Sequence, residues 1–266
     1  MHESMSLGQR HVVEEEFHDR KARRTRRRSA HVDFYSVVNE EHFQKLLDAA
    51  GSLGGKRVLD FGCGLGQTSR FYAEHGATRV DGFDISGESI RIARKNALRD
   101  NLDDRVFFRQ LAAEDIDYPD NSFDIVIGKA ILHHTDIEKT ARQLRRVLAP
   151  GGVACFLEPL AHNPFINLFR WLTPWRRTPT EKPLSLRDLS VFGHYLSVDY
   201  RGFYLLTLFA DFLLLLTGSR TLFVKTHVPL RRWEDRLLER IPFLQRYCWS
   251  MLVTFRKPLE TPSPRL

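Results

Sequence analysis

Three glycines at alternate positions follow a short apolar run that carries an acid. The segment 58–66 reads VLDFGCGLG, with Asp60 ahead of Gly62, Gly64 and Gly66. The apolar run is short enough for a buried strand, and glycines let the chain turn sharply and a ligand approach bare backbone amides. The third glycine comes one position too early for the dinucleotide fingerprint. The segment therefore predicts a site for a nucleoside without a pyrophosphate, with an ordinary strand-to-helix turn as the simpler alternative.

Further polar side chains follow the other strands that the sequence predicts. Five short apolar runs, at 57–61, 79–83, 105–110, 123–128 and 153–157, alternate with helical patterns, which is typical of a parallel sheet with helices on both faces. Ligands bind beyond the carboxyl ends of such strands. The glycine loop, Asp84, Glu114 and His133 all stand at these ends, and Asp84 is placed to accept hydrogen bonds from ribose hydroxyls. We therefore expect them to border one cavity.

The composition is that of a folded protein with one full core. The chain has 266 residues, of which 42% are hydrophobic and 27% charged. Its three cysteines are widely spaced and odd in number, so they predict neither a disulfide framework nor a metal cluster. No apolar leader pattern precedes the charged N-terminal residues. We expect a cytoplasmic protein without a metal site.

The basic residues are concentrated near the N-terminus. The formal net charge is +7, and nearly every residue between Arg20 and Arg28 is Arg or Lys. This run suits either a solvated helix face or contact with anionic lipid. Nucleic acid is disfavoured because no aromatic residues or base-reading module accompany the run. We assign residues 1–45 to an N-terminal arm or lid, 46–160 to the core, and 161–266 to an acceptor-side region with the last two strands.

The acceptor-side region holds a long apolar stretch. Strands are expected at 197–206 and 248–255, and residues 202–218 between them are almost wholly apolar, interrupted by Asp211. Three interpretations remain open: a core helix or homodimer face, a helix in the membrane interface, and a spanning helix, for which the stretch is short. Several arginines follow, which would suit an anionic surface. This apolar insertion favours a hydrophobic or carrier-linked small-molecule ligand.

Four segments together resemble the class I S-adenosylmethionine-dependent methyltransferases. They are VLDFGCGLG at 58–66, GFDIS at 82–86, YPDNSFDIV at 118–126 and LRRVLAPGG at 144–152. The resemblance covers about residues 55–160 and implies an α/β fold: a doubly wound, mostly parallel seven-stranded sheet with the last strand antiparallel. To this we add an apolar helical insertion between the last two strands.

The resemblance also implies a cofactor, S-adenosyl-L-methionine, and residues that hold it. Gly62, Gly64 and Gly66 would hold its methionine and ribose part, with Asp60 on its ammonium side. Asp84 would bind the ribose hydroxyls, and Ile85 would pack on the adenine. Many relatives carry an acid where this chain has Ala112, so contact with the adenine amino group passes to Glu114, Asp115 or a backbone group.

The sequence specifies the methyl acceptor less closely than it specifies the cofactor. Because the sulfonium activates its own methyl group, the protein mainly aligns a nucleophile and excludes water. His133 and His134, at the end of the fourth strand, are candidate bases for a hydroxyl or amine acceptor, with backbone-bonding histidines at a helix start as the alternative. We expect methylation, with oxygen preferred, of a small-molecule, lipid-like or glycan acceptor. The alternatives are an RNA methyltransferase that uses the arginine-rich arm and a non-catalytic protein peripheral to the inner face of the membrane.

Overall fold

Seven strands form one sheet in the order β3-β2-β1-β4-β5-β7-β6. The computed structural model describes residues 5–25, 34–172, 178 and 181–259. Neighbouring strands pair in parallel except at β7, which is antiparallel to both β5 and β6. The strands are β1 (Arg57–Phe61), β2 (Arg79–Asp84), β3 (Val106–Gln110), β4 (Phe123–Lys129), β5 (Leu148–Pro159), β6 (Ser197–Phe203) and β7 (Ser250–Arg256).

Helices cover both faces of the sheet, because strand side chains alternate between two buried clusters. Val58 of β1 packs in one cluster with residues of α3 and α4, whereas its neighbour Leu59 packs in the other with residues of α5 and α7. The helices are α1 (Leu7–Thr25), α2 (Phe34–Ala50), α3 (Gln67–Glu74), α4 (Gly87–Arg99), α5 (Ile137–Val147), α6 (Pro164–Leu172), α7 (Leu186–Gly193), α8 (Leu208–Thr217) and α9 (Arg220–Arg240).

The doubly wound fold is confirmed, and the chain departs from the expected boundaries mainly after β5. The sixth strand ends at Phe203 rather than at 206 because the chain turns into α8. The buried carboxylate of Glu234, on α9, accepts hydrogen bonds from the backbone N–H groups of residues 204–207. It thereby satisfies the backbone N–H groups of the buried turn that leads from β6 into α8. Between β5 and β6 the chain forms α6 and α7, and residues 173–177 and 179–180 lie outside the described residues.

The apolar stretch 202–218 does not form a long helix. Its helical part, α8, has 10 residues and packs on α9. Nowhere in the described part of the chain does a helix combine the length and the apolarity needed to cross a bilayer. The spanning interpretation of this stretch is therefore wrong for the described residues.

Helix α1 lies across the carboxyl ends of β2 and β3. Asp19 accepts hydrogen bonds from the Ser86 hydroxyl at 2.5 Å and from the Glu88 N–H at 3.1 Å, at the N-terminus of α4. Gln110, at the end of β3, donates to Glu15 at 2.9 Å. These contacts hold α1 over this edge of the sheet. The basic run enters α1 as far as Thr25, and its residues 26–28 lie outside the described residues.

Candidate active site at the carboxyl ends of the strands

The glycine loop connects β1 to α3 in a conformation that favours glycine. Gly62, Gly64 and Gly66 all have positive φ, at 77°, 51° and 73°, where a side chain is strained. A Cβ at Gly66 would lie 2.5 Å from the Phe108 ring, whereas one at Gly64 would meet no atom within 4 Å. Gly66 is therefore required by packing under the loop, and Gly64 leaves open space at the loop's outer side.

Asp60, the next-to-last residue of β1, is a buried acid. Its Oδ2 accepts hydrogen bonds from the Thr68 hydroxyl at 2.7 Å and the Ser69 hydroxyl at 2.5 Å, both in the first turn of α3. Burial raises the pKa of Asp60 to about 6, because desolvation penalises the carboxylate more than the two hydroxyls stabilise it. The group is thus poised to ionise when a cation approaches.

Asp84 ties β2 to the glycine loop. Its Oδ2 accepts the Gly64 N–H at 3.0 Å, and its Oδ1 accepts the Ser86 N–H at 2.9 Å. A carboxylate can accept about four hydrogen bonds, so the half-buried Asp84 keeps capacity for ligand hydroxyls. Ile85 follows it and borders the same cavity.

Of the two acids considered for the adenine contact, the structure brings only Glu114 to the cavity. Its Oε1 accepts the Asp136 N–H at 2.7 Å, and its Oε2 lies 3.1 Å from His11 Nε2 of α1. Asp115 is exposed and does not line the cavity. Its backbone N–H instead closes a turn onto the Ala112 carbonyl at 3.1 Å.

His133 forms a buried pair with Glu158 of β5. Its Nδ1 lies 2.7 Å from Glu158 Oε2, and Glu158 Oε1 accepts the N–H groups of Ile131 and Leu132, both at 2.9 Å. The carboxylate is fully buried, which requires that it be hydrogen-bonded in this way. Glu158 therefore fixes both the 3₁₀ turn Leu132–His134 and the orientation of the His133 ring, whose Nε2 is not part of this pair.

His134 turns toward α1. Its Nδ1 lies 3.2 Å from Glu14 Oε2, and its carbonyl accepts a hydrogen bond from Arg10 at 3.1 Å. His18, one turn after Glu14, lies 3.6 Å from the same Oε2 atom. Burial lowers the pKa of His134, although Glu14 opposes this effect.

A cavity at this edge is bordered by Gly62, Asp84, Ile85, Glu114 and His134, whereas Asp60, Gly64 and His133 do not line it. It is lined by residues of α1, the glycine loop, the ends of β2 and β4, and Glu114, and it has a volume of about 50 Å³ with α1 in this position. Sites for small molecules usually measure about 300–1,000 Å³. A nucleoside ligand would therefore require α1 to shift outward, and α1 is held to the cavity wall by polar contacts rather than by a large apolar face.

The sequence predicted that the glycine loop, Asp84, Glu114 and His133 border one cavity; Gly62, Asp84 and Glu114 do so, and His133 does not. Sequence reasoning did not find Glu14, the acid of α1 that also lines the cavity. Glu14 lies more than a hundred residues from His134 in the sequence, so no spacing rule connects them. The available signal was local: Glu14 and His18 are four residues apart and so share one helix face.

The fold and the residues at this edge define the class I S-adenosylmethionine-dependent methyltransferases: a seven-stranded sheet with one antiparallel strand, a glycine loop after β1 and an acid after β2. Residues 58–152 match the family model of a methyltransferase domain.

Named methyltransferases are similar in sequence to part of this chain. A 27-O-demethylrifamycin SV methyltransferase from Amycolatopsis mediterranei is 39% identical over 125 residues, 45% of this chain and 46% of the relative. A sterol 24-C-methyltransferase from Aspergillus fumigatus is 31% identical over 135 residues, 50% of this chain and 35% of the relative. The chain thus matches about half or less of the length of these relatives.

Solved structures show the same fold over more of the chain. A geranyl diphosphate C-methyltransferase from Streptomyces coelicolor A3(2), solved with Mg²⁺, geranyl diphosphate and S-adenosyl-L-homocysteine, superposes with a TM-score of 0.61. The two share 15% identity, and the match covers 82% of this chain and 77% of that one. At this identity the likeness concerns the fold alone.

Proposed function

We propose that this protein transfers the methyl group of S-adenosylmethionine to a hydrophobic small molecule, with oxygen as the preferred acceptor atom. The observation that carries the proposal is the His133–Glu158 pair, which lies next to the cofactor loop at the end of β4. A carboxylate that orients a histidine is the arrangement that a general base requires. Relatives that methylate oxygen and carbon both match this chain, so the preference for oxygen depends on this pair.

The residues at the carboxyl ends of β1, β2 and β3 have the chemistry that the cofactor needs. Asp60 supplies a buried carboxylate for the amino group, and the open side of Gly64 leaves space for the methionine and ribose part. Asp84 retains acceptor capacity for the ribose hydroxyls, and Ile85 provides an apolar surface for the adenine. Glu114 is the remaining polar group for the adenine amino group, provided that His11 leaves it when α1 shifts.

When bound, the cofactor supplies an electrophilic methyl group on a sulfonium, whose S–C bond breaks to leave a neutral thioether as the acceptor oxygen forms the new O–C bond. His133 accepts the proton of the acceptor hydroxyl at Nε2, while Glu158 holds Nδ1 and stabilises the resulting imidazolium. Helix α1, which lines the cavity, would cover the bound cofactor after its outward shift and exclude water.

The cofactor part of the proposal is tested by calorimetry with S-adenosylmethionine and S-adenosylhomocysteine. Asp84→Ala removes both the ribose acceptor and the bond to Gly64, and Gly64→Val strains the loop at φ 51°. We expect both variants to lose binding by a hundredfold or more. Asp104→Ala, a control on an exposed acid before β3, should bind as the wild type does. A wild-type protein that binds neither ligand would overturn the proposal.

The acceptor is tested with methyl-labelled cofactor and fractionated cell extract. Label that enters an organic-soluble fraction, and is stable to base as an ether is, supports a hydrophobic oxygen acceptor. Label on RNA or on water-soluble protein would contradict this assignment and leave cofactor binding unaffected.

An exposed apolar surface supports a lipid-like acceptor. Helices α6, α8 and α9 follow β5 and β6 and precede β7, so they lie at the same edge of the sheet as the cavity. Trp171 is 76% exposed and Leu216 80% exposed, and exposed cations accompany them on α9, including Arg232 and Arg236. Apolar and aromatic groups beside cations suit the interface of an anionic bilayer. We propose that this surface, formed by α6, α8 and α9, contacts the membrane from which the acceptor enters.

Sedimentation with vesicles tests this surface. Burying a leucine contributes about 1.5–3 kcal/mol, so Leu216→Ser should weaken binding to phosphatidylglycerol-containing vesicles by about tenfold or more. Leu98→Ser is the matched control, since Leu98 is also exposed but lies at the end of α4, at the opposite edge. Membrane contact would be contradicted if the wild-type protein did not sediment with the vesicles. It would also be contradicted if the wild-type protein formed a dimer that Leu216→Ser dissociates.

A further inference from the structure

Glu14, His18 and His134 bring two imidazole nitrogens and one carboxylate oxygen to one point. Glu14 and His18 come from α1, and His134 from the 3₁₀ turn after β4. Their ligand atoms all lie within 4.8 Å of one another. No cysteine contributes, which is why the cysteine pattern gave no sign of this cluster.

The spacing suits a shared ion better than direct hydrogen bonds. Glu14 Oε2 lies 3.2 Å from His134 Nδ1 and 3.6 Å from His18 Nε2. An N–H···O hydrogen bond measures about 2.7–3.2 Å, so the first separation is at the long end of that range and the second lies outside it. Ligands about 2.0–2.1 Å from a tetrahedral metal are separated by about 3.3 Å. The observed separations lie on either side of that value.

Surrounding contacts orient the carboxylate as they do in metal sites. The other oxygen of Glu14, Oε1, accepts a hydrogen bond from the Thr178 hydroxyl at 2.8 Å, and Glu14 is 4% exposed. Metal-binding carboxylates are commonly fixed by such an outer bond. The orientation of Glu14 therefore does not depend on the two histidines alone.

The three residues also border the cavity that contains the glycine loop and Asp84. We propose that Glu14, His18 and His134 bind one divalent transition-metal ion of the zinc type, with an open coordination position that faces this cavity. Two histidines and one carboxylate with a free position form the ligand set of catalytic zinc sites. Imidazole ligands exclude Mg²⁺ and Ca²⁺ as the preferred ions.

Two consequences follow from where the ligands lie. Because two of them belong to α1 and one to the core, the ion would hold the lid closed. With α1 held in this position, the cavity of about 50 Å³ is too small for a nucleoside. The ion would therefore oppose entry of the cofactor, and this second consequence rests on the proposed methyl transfer.

The test is direct binding of Zn²⁺ to the full-length protein after chelator treatment. Competition with a chromophoric chelator should show one tight site for each chain, and Co²⁺ should give the visible absorption of a four-coordinate site. Mg²⁺ should not compete. Glu14→Gln, His18→Asn and His134→Asn should each lower the Zn²⁺ affinity by a hundredfold or more, whereas His194→Asn, an exposed histidine after α7, should not.

Thr178→Val provides a milder variant that removes only the outer hydrogen bond, and it should weaken Zn²⁺ binding by about 10–100-fold. Limited proteolysis should show α1 protected by Zn²⁺ in the wild type and unprotected in His18→Asn.

A wild-type protein without a tight Zn²⁺ site, or a triple variant of the three ligands with unchanged affinity, would overturn the proposal. Calorimetry with S-adenosylhomocysteine keeps the two proposals separate: cofactor binding without Zn²⁺ binding rejects only the metal site, and Zn²⁺ binding without cofactor binding rejects only the methyltransferase.

Discussion

His133 Nδ1 lies 2.7 Å from Glu158 Oε2, and both side chains are buried at the end of the sheet where β4 and β5 adjoin. The other oxygen of Glu158 holds two backbone N–H groups of the turn that carries the histidine. One carboxylate thus fixes both the position of His133 and its ring orientation. If His133 accepts the proton of the acceptor, Glu158 is the residue that positions it.

Glu158→Gln should lower kcat by about 10²–10⁴-fold, the range that general-base catalysis supplies. The amide can still accept a hydrogen bond from the turn, but it cannot stabilise a protonated His133. Single-turnover methyl transfer measures the effect, and the affinity for S-adenosylhomocysteine should stay within about threefold of the wild type.

A double-mutant cycle separates positioning from structural support. Glu158→Gln and His133→Asn should be strongly non-additive in kcat, since both remove the same function. Glu158→Asp should recover part of the rate. Additive losses, or a loss that follows thermal stability alone, would show that the pair only supports the fold.

Cofactor affinity should depend on pH through Asp60. Burial holds the pKa of this carboxyl at about 6 in the free protein, and the amino group of a bound cofactor would favour the ionised form. Binding should therefore release a proton below pH 6, and affinity should rise with pH up to about 6 and then level off. At pH 5 we expect Kd to be about tenfold higher than at pH 7. Calorimetry in buffers of different ionisation enthalpy measures both quantities.

Asp60→Asn is the control for this dependence. It should bind the cofactor more weakly at neutral pH and show a nearly flat profile between pH 5 and 7. A variant that keeps the wild-type pH dependence would assign the released proton to a group other than Asp60.

The sheet could be predicted because each strand is a short apolar run that local patterns mark. The contacts of α1 and of the acceptor side could not be predicted, because they join segments that are distant in the sequence. Glu158 was visible as an acid at the end of a strand, yet its bond to His133 depends on the pairing of β4 with β5. Asp115 was a candidate for the adenine contact, but the structure does not place it at the cavity. It stands beside Glu114 in the sequence, but the turn after β3 directs it to solvent.

The third glycine of the loop should matter for folding more than the second. An alanine at Gly66 would be strained at φ 73° and would place its Cβ 2.5 Å from Phe108 and 2.9 Å from Ala93. Strain and overpacking together should cost about 2–4 kcal/mol of unfolding free energy. Gly64→Ala has no such clash and should cost only about 1–2 kcal/mol. Urea denaturation compares the two, and equal losses would contradict the packing role of Gly66.

A buried histidine outside the candidate site should limit stability in acid. His42, on α2, is 5% exposed, and neither ring nitrogen has a hydrogen-bond partner among the described residues. Burial lowers its pKa to about 3. As the pH falls below the ordinary histidine pKa of about 6.5, His42 becomes protonated in the unfolded chain but stays neutral in the folded protein. Because of His42, the free energy of unfolding should therefore be about 2 kcal/mol lower at pH 5 than at pH 8.

His42→Phe removes this proton uptake and the two unpartnered nitrogens but retains an aromatic ring against Tyr204, whose centroid lies 5.2 Å from that of His42. We expect the variant to gain stability at both pH values, with a gain about 2 kcal/mol larger at pH 5 than at pH 8. His194→Phe, at an exposed position, should change stability equally at the two pH values. Urea denaturation at pH 5 and pH 8 measures each difference. A gain for His42→Phe that does not vary with pH would mean that His42 takes up a proton in the folded protein, through an opening of α2 from the sheet.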